Sequence, residues 1–175
     1  ALFVITTSGV RVLIRGRILA FGTPVEYDWV FYVTANNVEF VGEGGGAILE
    51  GSGQYKYDPG LFVGPTLIHF HQVNGCTVRN LTLHNGPQSS IFVRGGTGSK
   101  ITDCLFEGGP ATMDGTTIFG ISGTGVNNFL VEGNRFVPNA TGKAHSWIQS
   151  SSTSSSLHVT ITDNKFEESY DHAIY

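Results

Sequence analysis

The sequence predicts an all-β chain folded as a right-handed parallel β-helix, a solenoid of short stacked strands, and three observations carry that expectation. First, only 14% of the 175 residues are charged while glycine alone supplies 24. Such a composition is poor material for amphipathic helices and good material for short strands joined by tight turns. Second, four hexads share an apolar first and last residue: Val78 to Leu83, Ile101 to Phe106, Val131 to Phe136 and Ile161 to Phe166. Third, these hexads start 23, 30 and 30 residues apart (78 to 101, 101 to 131, 131 to 161). Loop length varies while the hexad does not, which is how stacked coils behave.

A second apolar strand follows each hexad, containing Ile91 and Val93, then Ile118 and Ile121, then Trp147 and Ile148, then Ile174. Upstream, Val10 to Phe21, Trp29 to Val33, Val38 to Val41 and Ala47 to Leu49 read as earlier, less regular coils. Stacking in register pairs each strand with its equivalent about 4.8 Å away and buries like positions as continuous columns. The right hand follows from the preference of parallel crossovers. An antiparallel sandwich is disfavoured because it would not require hexads that superimpose without gaps. At the fourth hexad position, Asn134 and Asn164 are expected to take a left-handed bend between strands.

The length suits one domain, expected over residues 1–175. Because the sequence stops inside what should be the second strand of a coil, the C-terminal end reads as truncated or as completed by a neighbour. End-to-end or homo-oligomeric association through an open coil end is the matching expectation. A formal charge of −4 with scattered cations disfavours nucleic acid as a partner. No apolar run approaches the roughly 20 residues that cross a bilayer, so no membrane partner is expected. The opening Ala1 to Val10 lacks the features of a signal peptide, as a processed mature form would.

Cys76 and Cys104 are expected as two buried free thiols, with a single disulfide as the alternative. Of two glycosylation sequons, Asn139 after Pro138 reads as the exposed acceptor, while Asn80 lies in an apolar, strand-like run. His69 and His71 alternate on one strand and so share a face. Without a third ligand nearby, a stacked or hydrogen-bonded role is preferred to a metal pair, and no metal or cofactor is expected. Tyr27, Trp29, Tyr55 and Tyr57 are aromatic residues of the early coils that would stack on sugar rings or cover the core.

A ridge of ionisable residues emerges on counting back from the strand after each loop. Asp114 lies four residues before Ile118, His145 three before Ile148, and His172 two before Ile174. If successive loops converge there, Asp114, His145 or Lys143, and Asp171 or His172 sit about 5 Å apart on one face, suited to acid–base chemistry. A lyase reading assigns Lys143 or His145 as the base that removes the proton alpha to a uronate carboxylate, with Lys165 or Arg135 neutralising that carboxylate. Trp147 and Tyr170 are the sugar-platform candidates beside the ridge.

Several stretches resemble the polygalacturonase family of glycoside hydrolases, members of the pectin-lyase-like β-helix superfamily. Ile48-Leu49-Glu50-Gly51-Ser52-Gly53-Gln54-Tyr55 is similar to that family's glycine-rich turn. Pro65 to Phe70 and Val78 to Pro87 are similar to its later coil stretches. Thr112-Met113-Asp114-Gly115 resembles the first catalytic coil, which implies a carboxylate role for Asp114. Tyr170-Asp171-His172-Ala173-Ile174 resembles the coil that carries a histidine, which implies that role for His172. The family's intervening Asp pair has no counterpart in Pro138 to Ser146, and an inverting glycosidase needs two carboxyl groups about 6.5–9.5 Å apart. The resemblance therefore implies polysaccharide as partner, hydrolysis or lysis of acidic or pectin-like polymers, and secretion. The alternatives are a noncatalytic glycan-binding or structural β-helix, or one module of a trimeric spike or fibre.

Overall fold

The computed structural model describes residues 3–20, 29–51, 66–86, 89–108, 119–138, 146–150, 157–167 and 172–174. In chain order its strands are β1 (Phe3–Ile5), β2 (Arg11–Ala20), β3 (Phe31–Val33), β4 (Glu39–Gly51), β5 (Thr66–His71) and β6 (Thr77–Arg79). There follow β7 (Thr82–His84), β8 (Ser89–Arg94), β9 (Lys100–Thr102), β10 (Leu105–Glu107), β11 (Phe119–Thr124) and β12 (Asn127–Glu132). The last are β13 (Arg135–Val137), β14 (Ser146–Ser150), β15 (Leu157–Thr162), β16 (Lys165–Phe166) and β17 (His172–Ile174).

These strands form two sheets. The first runs β1-β3-β5-β8-β11-β14-β17, and the second combines β15-β12-β9-β6-β4 with β4-β7-β10-β13-β16, with β2 paired to β4. Neighbours in the first sheet come from successive coils, and the pairings are parallel. Together these features make an all-β parallel β-helix.

Its core consists of vertical files. Val12, Phe40, Val78, Ile101, Val131 and Ile161 stand in register through the second sheet. Ile18, Leu49, Leu83, Phe106, Phe136 and Phe166 form another file. The first and last residues of the four hexads thus lie directly over one another. In the first sheet, Phe31, Ile68, Ile91, Ile121, Ile148 and Ile174 make the facing file. Phe106, Phe136 and Phe166 stack face to face, with ring centroids 4.7 and 4.9 Å apart.

The corner inside each hexad differs from the expectation in one respect. The left-handed residue is the third, not the fourth: Asn80 (φ 54°), Asp103 (φ 53°), Gly133 (φ 65°) and Asp163 (φ 55°). These short polar residues and glycine tolerate that conformation best. The fourth position points inward instead, where Leu81, Cys104 and Asn134 are buried. Asn134 accepts a hydrogen bond from Cys104 N (2.9 Å) and donates one through Nδ2 to Ile101 O (2.9 Å). Asn164 repeats the pattern one coil on, accepting from Asn134 N (2.9 Å) and donating to Val131 O (2.8 Å). The two asparagines satisfy buried backbone groups at a corner the strands leave open, which is their reason for being there.

In β4 the corner is lengthened. Val41 pairs with Arg79 and Ile48 with Thr82, so Glu43 to Gly46 are extra residues, all exposed. Gly42 lies at the base of this extension, where an added Cβ would sit 1.9 Å from Asn80 O. Cys76 and Cys104 are both free and buried. Burial pushes the Cys104 thiol up to about 12 and raises Cys76 in the same direction. Asn80 is exposed at its corner, in contrast to the apolar surroundings that its sequence neighbours suggested.

Candidate functional site

Strand alternation sends every second side chain of the first sheet away from the core. Ile68 and Phe70 of β5 join the core, so His69 and His71 take the outward positions. Register then places Tyr32 of β3 and Phe92 of β8 on either side of His69, and Arg94 beside His71. Backbone pairing continues the first file through Ser122 to Gln149, and the second to Thr124.

On this face the side chains form an aromatic layer. Trp29 stacks on Tyr32 with centroids 4.6 Å apart, and His69 meets Trp29, Tyr32 and Phe92 edge-on at 4.8, 5.2 and 4.9 Å. His71 touches His69 and Tyr32, both at 5.6 Å. His69 is only 2% exposed, and neither ring nitrogen has a hydrogen-bond partner. Burial, reinforced by neighbouring His71 and Arg94, holds its pKa down to about 3. His71 is lowered as well, by burial first and Arg94 second. Both imidazoles are therefore neutral near pH 7. A stacked or hydrogen-bonded role is the sequence expectation for this pair; its rings instead pack edge-on and tilted against their aromatic neighbours, and His69 makes no hydrogen bond. Among the described residues no group of three or more His, Cys, Asp or Glu side chains is placed to hold a metal ion.

Arg94 is exposed at the rim of this layer. Among the described residues Arg11, Arg15, Arg17, Arg79 and Arg135 all pair with a glutamate, and Arg94 has no such ion pair. The described strands of the first sheet carry no Asp or Glu. The face thus offers flat rings, neutral imidazole and one uncompensated guanidinium, which suits a ring-shaped, anionic ligand.

The residues singled out from sequence are distributed differently. Asp114, Asn139, Lys143, His145, Tyr170 and Asp171 lie outside the described residues. His172 opens β17 with its backbone in register with Ser146, and Trp147 precedes the core residue Ile148. Arg135 and Lys165 sit on the second sheet, adjacent in register, and both pair with Glu167, at 2.8 and 3.4 Å. They are not brought onto the sheet that carries His172 and Trp147, and both are engaged by Glu167. Sequence reasoning missed Tyr32, Phe92 and Arg94. The signal was available, because aligning Ile68 and Phe70 with Ile91 and Val93 puts His69 over Phe92 and His71 over Arg94.

In comparison with known proteins, the family model described as "Right handed beta helix region" fits residues 25–175. No curated protein and no solved structure matches the chain. The family match, the parallel sheets and the apolar files agree, and the chain belongs to the right-handed β-helix family.

Proposed function

We propose that the chain handles an acidic, pectin-like polysaccharide along the outward face of its first sheet. The observation that carries this reading is Arg94, an exposed guanidinium with no acidic partner among the described residues, in register beside His71 at the edge of the layer in which Trp29 stacks on Tyr32. Aromatic rings bind the apolar faces of sugars, and a guanidinium binds a uronate carboxylate in bidentate fashion. Membership of the right-handed β-helix family and the resemblance of the coil stretches to polygalacturonases support the same ligand class. Such a polymer belongs outside the cell, so we take secretion as part of the proposal.

For cleavage, the groups available are Asp114 as acid, Asp171 as the second carboxylate, and His145 or His172 as a base, with Lys143, Trp147 and Tyr170 contacting the sugar. Asp114 and Asp171 belong to segments that connect the second sheet to the first. Noncatalytic glycan binding is the second reading, in which the same face holds the polymer without cleaving it. Both readings are tested by measuring binding to polygalacturonate and to a neutral glucan, together with reducing-sugar release and absorbance of unsaturated products. Binding with product release that Asp114→Ala and His172→Ala abolish supports the enzyme. Binding without product supports the module, and no preference for the acidic polymer refutes the shared proposal.

A further inference from the structure

The aromatic layer contains a group that has no reason to be polar unless its polarity is used. His69 is 2% exposed, both its nitrogens are unpartnered, and a phenylalanine occupies the equivalent place one coil on. A neutral imidazole fits this slot as a flat ring. An imidazolium does not, because it would need acceptors for two N–H groups and a counter-charge. The described groups facing His69 supply neither: Tyr32 from β3, His71 from its own strand, and Phe92 with Arg94 from β8. Arg94 is already positive, and the described strands of the sheet bear no carboxylate.

We propose that the outward layer of the first sheet is an acid-released latch: a proton taken up by His69 expels its ring from between Trp29, Tyr32 and Phe92 and opens the face beside Arg94. The folded coil beneath does not depend on this ring, since Ile68 and Phe70 on either side of it belong to the core. The closed layer holds His69 at about 3, well below the ordinary value. In the pH range between the two, the open form binds one proton more, so each unit of acidification favours it about tenfold. The latch deepens the glycan reading by regulating the same face, yet it exists without ligand and is tested without one.

The experiment uses the full chain carrying Trp147→Phe, so that emission reports Trp29 alone. Emission maximum, acrylamide quenching and far-ultraviolet circular dichroism are followed from pH 7.5 to pH 4. The expected result is a red shift with quenching increased roughly twofold, reversible, while the β signal is unchanged. His69→Phe removes the response, and His69→Gln does so if the phenylalanine variant fails to fold; His71→Gln keeps it. A Trp29 response that persists without His69, or that appears only together with loss of the β signal, overturns the latch. Polysaccharide binding is measured separately at pH 7.5 and at pH 4, and its absence at both refutes the glycan reading while leaving the latch standing.

Discussion

Asn164 Oδ1 accepts two hydrogen bonds from Asn134, one from its backbone N–H at 2.9 Å and one from its side-chain Nδ2 at 3.0 Å. One amide oxygen thereby ties two coils at the corner where the strand ladder is interrupted. Replacing Asn134 by alanine strands the Cys104 N–H in a buried site and takes one donor from the Ile101 carbonyl. We expect Asn134→Ala to cost about 2–4 kcal/mol, seen as a fall of roughly 5–15 °C in Tm. Asn134→Asp sets a carboxylate oxygen against the Ile101 carbonyl and Asn164 Oδ1 in a buried site, and should cost at least as much as alanine at pH 7.

The phenylalanine file makes a second test. Phe136 is fully buried and stacked on both sides, against Phe106 and Phe166. Phe136→Ala should cost about 3–5 kcal/mol, and Phe136→Leu distinctly less, in urea unfolding followed by circular dichroism. Equal losses for the two variants would contradict face-to-face packing at this position.

Two glycines only three residues apart should behave in opposite ways. A Cβ on Gly42 meets the Asn80 carbonyl at 1.9 Å, whereas Gly45 has open space around it. Gly42→Ala should therefore cost about 3 kcal/mol or more, while Gly45→Ala stays within about 0.5 kcal/mol of wild type. Thermal melts of the two variants side by side check the lengthened corner in β4.

Acid should weaken the outer surface of the second sheet. Glu39 is held below the usual carboxylate range first by its hydrogen bond from Arg79 and then by Arg11, and Glu50 likewise by Arg17 and then His84. A depressed carboxylate contributes stability above its ordinary value and loses it as pH falls through the folded one. Glu39→Gln should cost no more than about 1 kcal/mol at pH 7 after allowance for screening, and progressively less as acid protonates the carboxylate. Salt should shrink the difference at pH 7.

Arg94→Ala should weaken binding to polygalacturonate roughly tenfold or more without changing affinity for a neutral glucan. Arg94→Lys should recover part of the loss, because charge survives while the bidentate fork does not. Equal binding by all three proteins, measured calorimetrically at low salt, would exclude Arg94 from the ligand face.

The coil was legible because its signal is strictly repeated. Val78, Ile101, Val131 and Ile161 announced a shared file, and Ile91, Ile148 and Ile174 the facing one, and burial leaves little freedom at such positions. The corner was read one residue late, since asparagine suits both a left-handed bend and an inward ladder. Asn80, Asp103, Gly133 and Asp163, one position earlier, carried the discriminating information. The site was harder to read. Arg135 and Lys165 offered positive charge, but only their place beside Phe136 and Phe166 in the second sheet reveals their face. Arg94 stood unnoticed among surface cations until strand pairing set it next to His71.

The constancy of the files has a consequence for how this molecule can change. Ile101 and Val131 hold equivalent places in adjacent turns, so excising residues 101–130 would bring Val78 and Val131 together with like neighbours above and below. A whole turn is thus an interchangeable part, and the protein can grow or shrink by such parts while the surviving members of each file keep apolar neighbours.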